Sequence, residues 1–155
     1  MIIRRTFLFL ISIFILFSCS RLDLAEIDNL NKQILMYPKI NHIVGLHLAR
    51  TSINFERVTT ANPEQLAKQL NSLDVSAEAM NEIWHQMENL ELRILYRVDD
   101  KIIWVRGGAF GDIDGIMFDY DKVPQSKTGD IITLPNKKKI KIRREISSGI
   151  FKFSG

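Results

Sequence analysis

Cysteine is almost absent: Cys19 is the only one in 155 residues, so no internal disulfide can brace the fold. Hydrophobic burial has to hold it together. Histidine is nearly as scarce, with only His42, His47 and His85. His42 and His47 lie five apart on a predicted strand and so face opposite sides, which removes them as a local metal pair. His85 follows Trp84 one step off the apolar face of a predicted helix, and no His-Glu-x-x-His pattern occurs. All three histidines read as structural or boundary residues. No serine sits in a Gly-x-Ser-x-Gly context, and no glycine-rich loop is followed by Lys-Ser/Thr. Internal repeats, low-complexity segments and Pro/Gly/Ser-rich linkers are also missing. The absences leave enzyme function without a motif, although active sites also assemble from residues far apart in sequence.

What is present begins with Arg4-Arg5, followed by residues 6–17, in which only Thr6 and Ser12 are polar. Charge followed by an apolar run is the order of a secretory signal, with the basic end held in the cytoplasm. A membrane-crossing helix needs roughly 20 apolar residues, and this run gives way at once to Cys19, Ser20, Arg21 and, after Leu22, Asp23. The run ends Leu16-Phe17-Ser18-Cys19, which resembles the lipobox of bacterial lipoproteins. There a branched apolar residue stands three before the cysteine and a small residue directly before it. Leu16 and Ser18 match, while Phe17 stands where a small or aliphatic residue is usual.

The resemblance, confined to the first twenty residues, implies cleavage of residues 1–18 between Ser18 and Cys19. Cys19 then carries a thioether-linked diacylglyceryl group, a covalent lipid and the only cofactor-like group expected. Each buried methylene contributes about 0.8 kcal/mol, and two or more chains anchor stably. Lipid attachment also consumes a thiol that would otherwise be free in an oxidising compartment. Ser20, in place of the aspartate that retains lipoproteins at an inner membrane, looks like outer-membrane delivery if the cell has two membranes.

Removing the signal changes the charge argument. Arg4 and Arg5 leave with it and no acid does, so the mature chain has 19 Lys and Arg against 18 Asp and Glu, a net +1. The basicity of the precursor is therefore no argument for nucleic acid. Residues 19–155 suit one domain with one core.

Along that domain, Leu24, Ile27, Leu30 and Ile34 recur at helical spacing within a predicted helix 21–36, ended by Tyr37-Pro38. Residues 39–50 alternate as a strand, with Ile40, His42, Val44, Leu46 and Leu48 on one face. Ile53 and Phe55 suggest a partner strand across a turn at residues 50–52. Asn62-Pro63-Glu64-Gln65 and Ser76 start two helices with good capping signals. In the second helix Met80, Ile83, Trp84, Met87 and Leu90 form a core-facing stripe. Short strands follow at 92–98, 101–106, 116–120, 131–134, 139–146 and 150–153, with Asp99-Asp100, Pro135-Asn136 and Ser147-Ser148-Gly149 as turns. In the 139–146 strand Ile140, Ile142, Arg144 and Ile146 alternate against Lys139, Lys141, Arg143 and Glu145, which sets Arg144 on the apolar face. The order predicts an α+β domain: an N-terminal helix, a strand pair, two helices, then a meandering antiparallel sheet with helices on one face.

Three features invite a functional reading. Residues 107–115 contain Gly107, Gly108, Gly111 and Gly115 with Asp112 and Asp114, and Arg106 and Trp104 precede them. Two carboxylates two apart could meet a hard cation, but the remaining ligands of a calcium loop are missing. The plainer alternative is a glycine-permitted bend between strands, with the acids solvated. Trp104 and Arg106 read either as part of a recognition surface or, for the tryptophan, as core. Lys137, Lys138, Lys139, Lys141, Arg143 and Arg144 form a basic run, which reads as a contact for anionic lipid or an acidic protein, or as a wet, lysine-guarded edge strand.

The expectation is a membrane-anchored envelope lipoprotein with a small non-catalytic domain that binds a macromolecular partner of inhibitor, immunity or assembly type. No metal and no nucleic acid enter it. The alternative is a periplasmic or surface enzyme, or an ion-binding protein, with its site around Arg106, Asp112 and Asp114.

Overall fold

A computed structural model describes residues 23–45, 51–58, 62–107, 113–121 and 123–155. Cys19, Ser18, His47 and Asp112, and with them the lipobox and most of the glycine loop, lie outside these residues. The fold is α+β, with an N-terminal helix, a strand pair, two helices and a large antiparallel sheet.

Helix α1 spans Leu24–Leu35, and the Asp23 carboxylate caps it by accepting from the backbone amides of Ala25 and Glu26. Its apolar stripe lands as the periodicity predicts: Ile27, Leu30 and Ile34 are fully buried. Helix α2 (Pro63–Leu73) starts with Asn62 Oδ1 accepting from Gln65 N and Pro63 in the first turn. It ends where Asp74 turns left-handed at φ 57°. Helix α3 (Ala77–Asn89) is capped by Ser76 Oγ and buries Met80, Ile83, Trp84 and Met87.

Among the described residues nine strands form one sheet: β1 (His42–Val44), β2 (Ser52–Ile53), β3 (Glu56–Arg57), β4 (Ile94–Val98), β5 (Lys101–Gly107), β6 (Asp114–Asp119), β7 (Ile131–Thr133), β8 (Lys139–Ser147) and β9 (Ile150–Ser154). Their spatial order is β3-β2-β1-β4-β5-β6-β9-β8-β7, and every pairing is antiparallel. The sheet is therefore not a simple meander. After β6 the chain crosses to the far edge, and β7, β8 and β9 step back inward until β9 pairs with β6, a Greek-key arrangement.

The sheet separates two cores. On one face Ile43, Ile53, Leu95, Ile102, Trp104, Ile116 and Phe118 pack with the buried stripes of the three helices. On the other, Tyr96, Ile103, Val105 and Met117 meet Leu134, Ile140, Ile142, Phe151 and Phe153. The second core exists because the sheet curls. Asn136, in the β7–β8 turn, donates its side-chain amide to the Tyr96 hydroxyl of β4 at 2.9 Å. In a flat sheet, neighbouring strands are about 4.8 Å apart, and the several strands between β4 and β8 would put those groups out of reach. Twist and the bulges in β5 and β8 bring the C-terminal strands round to cover the back of β4, β5 and β6.

Three local expectations are corrected. The strand after α1 is shorter than 39–50, and Ile40 and His42 do not share a face: Ile40 and Ile43 enter the helix-side core, while His42 lies on the opposite side against Tyr96. Ile53 and Phe55 do not share a face of one strand, because Asn54 and Phe55 make a tight turn with φ 49° and 67°, leaving Phe55 exposed. The 139–146 strand is not an edge strand, since β7 pairs with its first half. Beyond Ile142 no described strand lies on its outer side.

Candidate functional site

Cross-strand partners in register share a face of a sheet. One such row runs Trp104–Ile116–Lys152–Arg144 across β5, β6, β9 and β8. Its first two members are buried beneath the helices, and its last two emerge beyond their cover as exposed cations. The neighbouring row runs Asp114–Ser154–Lys141–Ile131.

A bulge in β8 sets this pattern. Ile142 pairs with Phe153 and Arg144 pairs with Lys152, so Arg143 is an extra residue with no opposite number. Simple alternation would place Arg144 and Ile146 on the same inner face as Ile140 and Ile142. The inserted residue reverses the parity and turns Arg144 outward, on the same side as Lys141. Arg143 Nε donates to Ser154 Oγ at 2.6 Å, which fixes the bulged side chain along the edge. A second irregularity lies between Glu145 and Ser147, and Ile146 there is 41% exposed.

Where the exposed end of the first row meets the start of α1 there is a cleft of about 230 Å³. Leu24 and Ile116 form its apolar floor and Ile146 its rim, with Arg106, Arg144, Lys152 and Asp114 as its charged lining. Arg106 stands at a bulge between Val105 and Gly107 and forms an ion pair with Glu91 at 2.9 Å. Gly115 permits the close approach of β5 and β6 at this point. A Cβ there would stand 1.9 Å from the Trp104 carbonyl oxygen and 2.6 Å from Phe153 Cζ. The arrangement has three cations, one carboxylate and an apolar floor, which is chemistry for holding an anion beside a hydrocarbon surface.

Of the residues singled out from sequence, Arg106 and Asp114 do meet in this cleft. Trp104 does not reach a recognition surface: it is fully buried, with Nε1 donating to Asn31 Oδ1 at 2.6 Å. Sequence reasoning missed Lys152 and Ile146, and it placed Arg144 on the wrong face, because alternation cannot register an inserted residue. Among the described residues, no group of three His, Cys, Asp or Glu side chains is placed to hold a metal ion.

Two further polar clusters are structural in character. Asn31 Nδ2 donates to the Tyr120 hydroxyl at 3.0 Å, and that hydroxyl donates to Asp28 Oδ1 at 2.9 Å. Burial and the Asp28 carboxylate push the Tyr120 phenol well above its usual range. Asp119, buried at the end of β6, accepts from the amides of Asp121 and Ser126 and from Ser126 Oγ, with Lys101 Nζ 3.7 Å away. Burial alone would raise its pKa, but these donors and the ammonium outweigh it and hold the carboxyl below the ordinary range. The cluster fastens the β6–β7 connection to the sheet.

The chain matches no known protein family, no curated protein and no solved structure.

Proposed function

We propose that the protein is a lipid-anchored lipoprotein of the bacterial cell envelope whose small domain works by binding rather than by catalysis, presenting a macromolecular partner with a surface held close to a membrane. The lipobox-like Leu16-Phe17-Ser18-Cys19 supports the anchor. The observation that carries the binding reading is the outward strip of Lys141, Arg144 and Lys152, turned to one side by the β8 bulge beside a cleft with an apolar floor. An exposed, predominantly basic strip with neighbouring apolar residues suits recognition of an anionic surface. Ser20 favours the outer membrane in a cell with two membranes.

Fractionation tests the reading. Wild-type protein is expected in the membrane fraction and to resist extraction by high salt, whereas Cys19→Ala accumulates as unprocessed precursor without lipid. A Cys19→Ala protein processed and distributed like wild type would refute the anchor.

A further inference from the structure

The same strip has an occupant within reach, and naming it rests on the lipoprotein reading, because the distance argument starts from a lipid at Cys19. We infer that the outward face of β8 and β9 docks onto the phosphates of anionic phospholipids in the membrane that holds the anchor.

Leu24, half-buried at the start of α1, lines the cleft. Cys19 lies five residues before it, and five residues, however arranged, span at most about 18 Å. The bilayer surface is therefore never far from the cleft. Its negative potential fades over a Debye length of about 8 Å at physiological ionic strength, so cations profit only if their face is turned toward it. Lys141, Arg144 and Lys152 all lie on one face by strand register. Asp114 is the acid sharing that face, and Arg106 is already engaged by Glu91. Ile131, 63% exposed, sits in register beside Lys141, and Ile146 lies at the cleft rim. Apolar side chains among cations match the boundary between headgroups and acyl chains. An acidic protein could satisfy the charges, but the short reach from Cys19 favours the bilayer itself. Each surface cation shifts the balance between docked and undocked by about fivefold.

The test uses the full chain, processed and lipidated in cells and reconstituted into vesicles of phosphatidylcholine, alone or mixed with phosphatidylglycerol. With Cys19 blocked as a thioether, Ile131→Cys supplies a single thiol for a fluorophore, and Glu56→Cys on β3, at the opposite end of the strand order, supplies the control. Lipid-borne spin labels are expected to quench the probe at 131 only in vesicles containing phosphatidylglycerol, and to leave the probe at 56 bright. Arg144→Gln with Lys152→Gln is expected to lower the docked-to-undocked ratio about 25-fold. Anchored protein whose 131 probe ignores phosphatidylglycerol overturns the inference while leaving the lipoprotein reading intact. Protection of that probe by poly-glutamate but not by phosphatidylglycerol also overturns it, in favour of an acidic protein. Protein that fails to float with either vesicle because Cys19 carries no lipid removes both readings together.

Discussion

At the scale of single residues, Gly115 and His42 each make a separable claim. Gly115 lies where a methyl group would stand 1.9 Å from the Trp104 carbonyl oxygen, a backbone atom that cannot swing aside. Gly115→Ala is expected to cost at least ~3 kcal/mol, at the severe end of single-substitution effects, read as a fall in the denaturant midpoint. His42 is stacked on Phe55 with ring centroids 4.2 Å apart, and its Nδ1 accepts from the Phe55 amide at 3.2 Å. Burial pushes the imidazole down to about 4, against about 6.5 for an unfolded chain. Between those values the unfolded chain binds the extra proton, so stability is full above pH 6.5 and declines as pH falls toward 4. The slope from this group approaches ~1.4 kcal/mol per pH unit. His42→Phe keeps a ring but not the titration, so its stability should lose this component of the slope between pH 6.5 and 4. A slope equal to that of wild type would contradict the assignment. Neither environment was legible beforehand. Gly115 read as one of four loop glycines, and His42 was grouped on one face with Ile40, from which the fold separates it.

At the scale of elements, the helices were the legible part, and the reason is local. A 3.6-residue stripe and a cap are both set within one segment, so Asn62, Ser76 and the stripe of α3 could be read without knowing the fold. The strand order and the β8 bulge depend on partners far along the chain. Arg144 therefore went to the wrong face, and the second core around Phe151 and Phe153 was not foreseen. The attachment of α1 is a further non-local device: Asn31 receives Trp104 Nε1 and donates to Tyr120, which donates to Asp28. Asn31→Leu keeps similar volume but strands the buried indole N–H, and an expected loss of ~2–3 kcal/mol follows. Tyr120→Phe should cost ~1 kcal/mol, and combining the two should cost less than the sum, because both break one network. Strict additivity in a denaturation cycle would show that the contacts are independent.

At the scale of the whole molecule, two layers of packing free one surface for other work. Helices cover one face of the sheet and the curled C-terminal strands cover the other, so Lys141, Arg144 and Lys152 are not needed for either core. Replacing Arg144 and Lys152 with glutamine should therefore change folding stability by no more than ~0.5 kcal/mol, while docking weakens. A large loss of stability would mean that the strip serves the fold instead. The candidate site was half legible: Arg106 and Asp114, singled out from sequence, both line the cleft, whereas Lys152, Ile146 and the outward Arg144 needed the register of three strands.

The chemistry of Cys19 underlies both the anchor and the docking face, and intact-mass measurement of the protein extracted from membranes addresses it directly. The predicted result is a chain beginning at Cys19 and bearing a thioether-linked diacylglyceryl group. A mature chain that keeps a free thiol at Cys19, or that begins at any other residue, would contradict it.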